Sequence, residues 1–242
     1  MGELRAYAAL LGGQFRSVLS YRASFVVEVF TNVGAAALDV LTVIVLFGST
    51  RAVAGFTLTE ALLIVSLAGS GFALADLTVG NIDHLKTYVR TGLMDAVLVR
   101  PLGALGQLVC MDLPLRKAVR TLLNLVVLVV ALRLNDLEWT PARAALVVLT
   151  PPAGAVFFGS IFVLSASLAF WWVDSGEVGS AFTYGGRDFT SYPIPVYAGW
   201  FRSLFAYALG FGFVAYQPAL VLLGRAGSAG RNGWWPPWTA WA

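Results

Sequence analysis

Five apolar runs, each long enough to cross a lipid bilayer, constrain this chain more than any other feature of its sequence. They cover about 23–47, 59–79, 115–132, 144–172 and 203–223. A helix needs roughly 20 mostly apolar residues to span the hydrocarbon core. Composition agrees, because 58% of the residues are hydrophobic and 12% are charged, about half the charged share of soluble domains. The sequence predicts an all-α integral membrane protein with five spans, folded as one transmembrane domain over 1–242.

Residues 1–22, which precede the first run, carry a different pattern. Apolar residues such as Leu4 and Leu11 recur at helical spacing, opposite Arg5 and Arg16. This pattern is typical of an amphipathic helix that lies in the membrane interface.

The distribution of basic residues predicts the orientation of the chain. If the N-terminus is inside, eleven of the 16 lysine and arginine residues lie on the inner segments. Cytoplasmic loops of membrane proteins are enriched in these residues. The sequence therefore predicts a multi-pass protein of the plasma membrane with a cytoplasmic N-terminus. Residues 92–102 and 173–200 then both face the cytoplasm.

The first of these cytoplasmic segments has the pattern of a short amphipathic helix. One predicted helical face holds Leu93, Ala96, Val97 and Arg100, and Pro101 ends the helix. Two interpretations are open at this point: the helix docks on another protein, or it covers lipid headgroups.

The second cytoplasmic segment is also predicted to fold. Asp174 and Glu177 mark a helix start, because acidic residues are favourable at the positive end of the helix dipole. Tyr184–Asp188, with two glycines, is predicted to break this helix, and Ser191–Pro195 to turn the chain back to the membrane. Two folded cytoplasmic elements in a chain with no soluble domain predict a soluble partner.

Three polar residues interrupt the first apolar run: Glu28, Asn32 and Asp39. Offsets of 4 and 11 residues place them within about 40° of one another on a helix. A carboxylate costs roughly 3 kcal/mol in hydrocarbon, so this face is not expected to contact lipid. It is either a polar intramembrane seam that lines a translocation path or contacts a second subunit, or a satisfied contact between helices.

Sequence motifs for several kinds of chemistry are absent. There is no G-x-x-x-x-G-K-[ST] phosphate loop and no G-x-S-x-G nucleophile elbow. The chain has one histidine, His84, and one cysteine, Cys110. These numbers argue against zinc motifs and disulfide frameworks. The net charge of +3 is too small to indicate a nucleic-acid partner. An intramembrane enzyme would need clustered catalytic groups, whereas Asp39 is the only acid expected near mid-membrane.

Several short motifs together resemble a known family. Gly92-Leu93-Met94-Asp95 and Leu98-Val99-Arg100-Pro101-Leu102 resemble the first cytoplasmic loop of bacterial type 2 ABC exporter permeases. The later signature is matched by Phe170-Trp171, Glu177, Ser191-Tyr192-Pro193-Ile194, Tyr197, Tyr216 and Pro218-Ala219. The likeness covers about residues 1–238. It is greatest to the subfamily whose permeases are encoded apart from their ATPase.

This resemblance implies a permease of the bacterial plasma membrane that pairs with a second copy or a paralogue. Two cytosolic ATPase subunits would hold ATP and Mg²⁺, so this chain would have no catalytic residue, metal or cofactor of its own. They would drive export of a small hydrophobic or amphipathic compound, such as a drug or antibiotic. The ATPase-coupling residues implied are Gly92, Leu93, Asp95, Leu98, Arg100, Pro101, Asp174, Glu177, Tyr192 and Pro193.

The sequence departs from the family pattern at two places. Family members usually have proline where Gly210 stands, and they continue past 234–238 into a sixth span, whereas the printed sequence ends at Ala242. An alternative interpretation of the whole chain is an accessory membrane subunit that recruits a soluble partner without a transport path of its own.

Overall fold

The computed structural model describes residues 22–48, 55–99, 103–110, 115–172, 176–197 and 199–225. All regular elements in these ranges are helical. The α-helices are α1 (Arg22–Gly48), α2 (Leu58–Val79), α3 (Leu85–Arg90), α4 (Leu93–Leu98), α5 (Ala104–Cys110), α6 (Leu115–Leu134), α7 (Pro141–Ser167), α8 (Gly176–Ser191), α9 (Gly199–Arg202) and α10 (Tyr216–Leu222). Shorter 3₁₀ segments cover Gly80–His84, Leu168–Phe170, Ile194–Val196 and Phe211–Phe213, and a π-helix covers Ser203–Ala208. The predicted interfacial helix at 1–22 lies almost wholly outside the described residues.

Two helices in the described part of the chain are long and apolar enough to cross a membrane. They are Leu58–Arg90 and Pro141–Phe170. A third crossing is possible if Gly199–Ala208 and Phe211–Leu222, which meet at an angle of 65°, form one broken span. The prediction of an all-α membrane fold is therefore supported, while the number of five spans stays a prediction.

The predicted fifth span, 203–223, is not one continuous helix. Its first half is a π-helix, and Gly210 then adopts a left-handed backbone with φ of 84°. Glycine lacks the Cβ that makes this conformation costly for other residues. The chain therefore turns at Gly210, the position where the family usually has proline.

α7 is one continuous helix although it contains two interior prolines. Pro151 and Pro152, within the apolar run at 144–172, predict a break in the helix or a late start, but the helix begins at Pro141 and runs through both. Proline is favourable at the first helical position, because its missing N–H has no partner there. Helix-interior prolines are tolerated in spanning helices, where neighbouring groups satisfy the freed carbonyls.

The chain is divided into two compact units, and most of the long helices contribute to both. Unit 1 comprises Met1–Ala36, Ala73–Leu123 and Ala155–Gly185, and unit 2 comprises Ala37–Phe72, Asn124–Gly154 and Gly186–Ala242. The organisation as a single permease domain over 1–242 remains a prediction.

Unit 2 is built on close contacts of α2 with α6 and α7. A Cβ on Gly71 would lie 3.1 Å from Gly154 Cα, and a Cβ on Gly69 would overlap the side chain of Asn124. Small residues let membrane helices approach closely enough for backbone packing. Across the Leu58–Arg90 helix, 72% of the most apolar window is buried, against 22% for Pro141–Phe170, so α2 is the core helix.

The start of α2 is fixed by polar contacts within unit 2. Thr57 and Glu60 form a reciprocal capping box, with the Thr57 N–H donating to Glu60 Oε2 at 2.8 Å. Arg225 Nη2 lies 2.8 Å from Glu60 Oε1 and its Nη1 donates to the Gly55 carbonyl at 2.9 Å. The same guanidinium lies over the ring of Phe56, 5.3 Å from its centroid. These contacts hold the N-terminal end of α2 against Arg225, the last described residue.

Phe189 is the centre of an aromatic cluster in unit 2. Its ring contacts those of Tyr197, Phe201, Phe205 and Phe211, with centroid distances of 4.3 to 6.2 Å. The prediction that 184–188 breaks the second cytoplasmic helix is wrong, because α8 continues to Ser191. Gly186 serves packing instead: a Cβ there would lie 2.5 Å from Cε1 of Phe211.

Candidate coupling surface

The first element that is predicted to be cytoplasmic begins where α2 changes into a 3₁₀ turn and the short α3. α3 ends at Arg90. The next residue, Thr91, caps the helix, and its hydroxyl donates to the Thr87 carbonyl at 2.7 Å. Gly92 then adopts a left-handed backbone with φ of 73° and directly precedes α4. Left-handed glycine is the usual way to end one helix and redirect the chain. Gly92, a predicted coupling residue, therefore sets the direction of α4.

α4 is held from behind by two buried side chains and one amide. Met94 and Val97 are buried, and the side chain of Gln107 on α5 donates from Nε2 to the Val97 carbonyl at 3.1 Å. α5 is held in turn by Asn81 of the 3₁₀ turn, whose Nδ2 donates to the Val109 carbonyl at 3.1 Å. The turn, α5 and α4 are thus joined into one piece by side-chain amides.

The outer edge of α4 is apolar and open. The side chains of Leu93, Leu98 and Val99 are 52%, 61% and 85% exposed, and Asp95 is exposed beside them. The predicted face, which grouped Val97 with Leu93 and Ala96, is wrong in one respect. Val97 turns inward, because residues three apart share a helix face and Met94 is its partner there. Arg100 and Pro101 lie outside the described residues.

The second element that is predicted to be cytoplasmic, α8, packs against α7 within unit 1. Thr183 is buried with its hydroxyl 3.4 Å from Ser165 Oγ, and a Cβ on Gly179 would lie 3.1 Å from Ser165 Cβ. Glu177 is exposed in the first turn of α8, as expected for a residue at the dipole's positive end. Asp174 lies outside the described residues.

Tyr192 and Pro193, also predicted to couple to the ATPase, follow α8 in unit 2. Tyr192 is half-buried and Pro193 is buried. Of the predicted coupling residues with described side chains, Leu93, Asp95, Leu98 and Glu177 are the ones that are exposed, together with the backbone of Gly92.

A hydrogen bond between described residues joins the two elements that are predicted to be cytoplasmic. The Tyr184 hydroxyl of α8 donates to Asp83 Oδ2 of the 3₁₀ turn at 3.4 Å, and the Tyr184 ring meets Phe162 of α7 edge-on at 6.4 Å. Burial, reinforced by the nearby carboxylates of Asp83 and Asp76, raises the pKa of Tyr184 to about 12. The phenol therefore keeps its proton, and remains a donor, throughout the physiological range.

A charge cluster lies next to this hydrogen bond. Lys117 Nζ is 2.8 Å from Asp76 Oδ1, and Arg120 Nη1 is 3.8 Å from Asp76 Oδ2. Gly80 leaves room for the pair, because a Cβ there would overlap both side chains. The Thr121 hydroxyl adds a contact between α6 and α2 by donating to the Ala73 carbonyl at 3.0 Å.

Sequence reasoning missed this cluster. Basic residues at the start of an apolar run predict side chains that extend to the membrane surface, whereas Lys117 and Arg120 pair with Asp76 on another helix. Their spacing of three residues, which puts both cations on one face of α6, is the signal that could have indicated a shared acidic partner.

The predicted polar intramembrane seam lies on α1. The side chains of Glu28 and Asp39 are outside the described part of the structure, and Asn32 is half-buried. The role of this seam as a translocation path or subunit contact stays a prediction.

Comparison with known proteins places this architecture in a family. No curated protein and no solved structure matches the chain. A family model described as ABC-2 family transporter protein matches residues 33–240, which is most of the chain and includes α2 to α10. The chain belongs to the ABC-2 family of membrane transporter proteins.

Proposed function

We propose that this chain is the transmembrane subunit of an ATP-driven exporter and that α4 is its docking point for a separate ATPase. The observation that carries the proposal is the structure of α4. It is fixed from behind by the Gln107 amide and presents Leu93, Leu98 and Val99 outward. Membership of the ABC-2 family supports a transport role over that of an accessory subunit.

The size and chemistry of α4 suit a helix that inserts into a groove. Six helical residues extend about 9 Å, and an apolar edge beside one acidic residue is a common form of helix-in-groove recognition. A docking element must also transmit force. The two amide hydrogen bonds to α5 and from the 3₁₀ turn support this, because they tie α4 to the end of the core helix α2.

The energy source lies outside this chain in our proposal. The sequence has no phosphate-binding loop, so ATP and Mg²⁺ would be held by the partner ATPase. Glu177 on the first turn of α8 would offer a second, acidic contact to the same partner.

The substrate class and the second subunit rest on the family resemblance of the sequence. We propose a hydrophobic or amphipathic compound, such as a drug or antibiotic, as the exported substrate. Exposed apolar side chains along α7, including Val148 at 70% and Val156 at 72%, are suited to lipid or to a second permease copy or paralogue. The distribution of basic residues supports a cytoplasmic N-terminus, and the bacterial plasma membrane rests on the same family resemblance.

Affinity purification from native membranes tests the docking assignment. The wild-type chain is expected to bring down an ABC ATPase, whereas Asp95→Arg and Leu98→Glu are expected to lose it. Asp136→Arg is the matched control, because Asp136 is an exposed acid in the connection between α6 and α7, on the predicted opposite side of the membrane.

The outcomes separate the two candidate roles. Loss of the ATPase in all three variants, or in none, would reject α4 as the docking point. An ATPase that binds the wild-type chain but drives no efflux of rhodamine 6G or any other tested apolar dye would favour the accessory subunit.

A further inference from the structure

We infer that Tyr184 is a positioning residue for transport: its hydrogen bond to Asp83 passes movement of the docking helix α4 to α8. The inference rests on the proposed function and extends it from the site of docking to the route by which docking acts on the membrane part. Tyr184 is not among the residues proposed to contact the ATPase or the substrate, so it would act through Asp83.

The first part of the route runs from α4 to the 3₁₀ turn. The Gln107 amide donates a hydrogen bond to the Val97 carbonyl at 3.1 Å. A displacement of α4 would therefore displace α5. The Asn81 amide donates a hydrogen bond to the Val109 carbonyl at 3.1 Å, which connects α5 to the turn at Gly80–His84. Gln107 and Asn81 are both buried, which strengthens hydrogen bonds by excluding competing water.

The second part of the route crosses from the turn to α8. Asp83 lies two residues after Asn81 on the same short turn, and its carboxylate accepts the Tyr184 hydroxyl at 3.4 Å. The Phe162 ring holds the Tyr184 ring edge-on, which limits the positions that the hydroxyl can take. Movement of the turn can therefore reach α8 through this donor and acceptor.

Packing around this hydrogen bond is loose. A cavity of about 20 Å³, enough for one water molecule, separates the turn and α3 from α7 and α8. Its polar lining consists of Asp83, Lys86, Ser165 and Ser180. Lys86 also crosses the gap, since its flexible stem lies over Gly176. Beside this gap, the Tyr184 hydroxyl forms a directed contact between α8 and the turn.

The test compares Tyr184→Phe with Tyr88→Phe in the complex of the full chain with its ATPase, reconstituted in proteoliposomes. Both changes remove one phenolic oxygen, but the described residues show no hydrogen bond for the Tyr88 hydroxyl. ATP hydrolysis and efflux of rhodamine 6G are measured together. We expect Tyr184→Phe to keep assembly and hydrolysis and to lower dye exported per ATP about fivefold, the effect of one lost hydrogen bond.

A double-mutant cycle assigns the effect to the Asp83 contact. Asp83→Ala removes the acceptor, and the Asp83→Ala/Tyr184→Phe pair is expected to be no worse than the more severe single variant, because both remove the same interaction. Additive losses in the cycle would overturn the link. So would an unchanged ratio of transport to hydrolysis in Tyr184→Phe, or a loss of ATPase binding in proportion to transport, which would mark a purely structural role.

A failure of the proposed function gives a different result. If the wild-type chain binds no ATPase and exports no dye, the docking proposal falls. The link is then decided on the purified chain by hydrogen–deuterium exchange of backbone amides. Tyr184→Phe is expected to raise exchange in the first half of α8, and Tyr88→Phe is not. Equal exchange in the two variants would overturn the link as well.

Discussion

Lys117 Nζ lies 2.8 Å from the Oδ1 atom of Asp76, on a carboxylate whose side chain is only 10% exposed. This ion pair joins α6 to α2 a few residues before the turn that carries Asn81 and Asp83. An acid this poorly solvated needs a cation beside it, because desolvation of an unpaired carboxylate costs several kcal/mol. The basic start of α6 is therefore part of the internal structure of unit 1.

Lys117→Met is expected to destabilise the protein by roughly 1–3 kcal/mol, the penalty for leaving a buried polar group poorly satisfied. Arg120, 3.8 Å from Asp76, limits the loss. Thermal unfolding of the detergent-solubilised protein measures it. Arg133→Met, at the exposed end of the same helix, should stay within roughly 0.5 kcal/mol of the wild type. Equal effects of the two changes would show that the pair contributes nothing specific.

Gly71→Ala and Gly34→Ala are expected to change stability in opposite directions. A Cβ at Gly71 would lie 3.1 Å from backbone of Gly154, which cannot move aside, whereas nothing lies within 4 Å of a Cβ at Gly34. Overpacking typically costs about 1–3 kcal/mol, and alanine in an open helix position gains roughly 0.5–1 kcal/mol over glycine. Unfolding midpoints of the two variants test this. Stabilisation by both would argue against the close approach of α2 and α7.

Arg225→Gln is expected to lower stability by about 1 kcal/mol. The change removes the ion pair with Glu60 at 2.8 Å and the contact over Phe56, but Arg225 is partly exposed and solvent weakens the pair. Arg225→Lys keeps the charge and loses the planar fork, so it should fall between the wild type and Arg225→Gln in the same unfolding assay. A lysine variant as unstable as the glutamine variant would show that geometry outweighs charge here.

Alkaline titration should reveal the raised pKa of the Tyr184 phenol. Its pKa is raised from 10.0 to about 12, chiefly by burial. Because the folded-state pKa is above the ordinary value, the associated stability is complete below pH 10 and is lost as the pH rises towards 12. The phenolate absorbance of the wild type minus that of Tyr184→Phe should rise near the higher value. A difference curve centred on the ordinary pKa of tyrosine would mean that the hydroxyl is solvated.

Several elements could be predicted from the sequence because their cause is local. The bounds of α1, α2 and α6 lie within a few residues of the predicted runs, since length and apolarity decide where a helix can enter a membrane. The short helix between the apolar runs was also located, at Leu93–Leu98. Its buried face was misassigned, because the choice between Val97 and Leu93 depends on α5, which the local pattern does not contain.

The wrong predictions share a physical reason. Gly186 and the pair Pro151 and Pro152 were treated as helix breakers, which is their local tendency. In the structure Gly186 makes room for Phe211, and the prolines lie within a long helix. At Gly186 tertiary packing outweighs the intrinsic propensity of glycine, because a larger side chain would overlap the Phe211 ring.

By itself the sequence determined the solvent of this protein, the class of its fold and its family, because these follow from apolar runs and short motifs that each segment carries alone. Only the tertiary structure decided which polar side chains meet. Asp83 and Tyr184 are 101 residues apart in the chain, and Arg225 and Gly55 are 170 apart. No periodicity encodes such pairs, since they form only after the helices pack. The proposed link from docking helix to α8 depends on one of them.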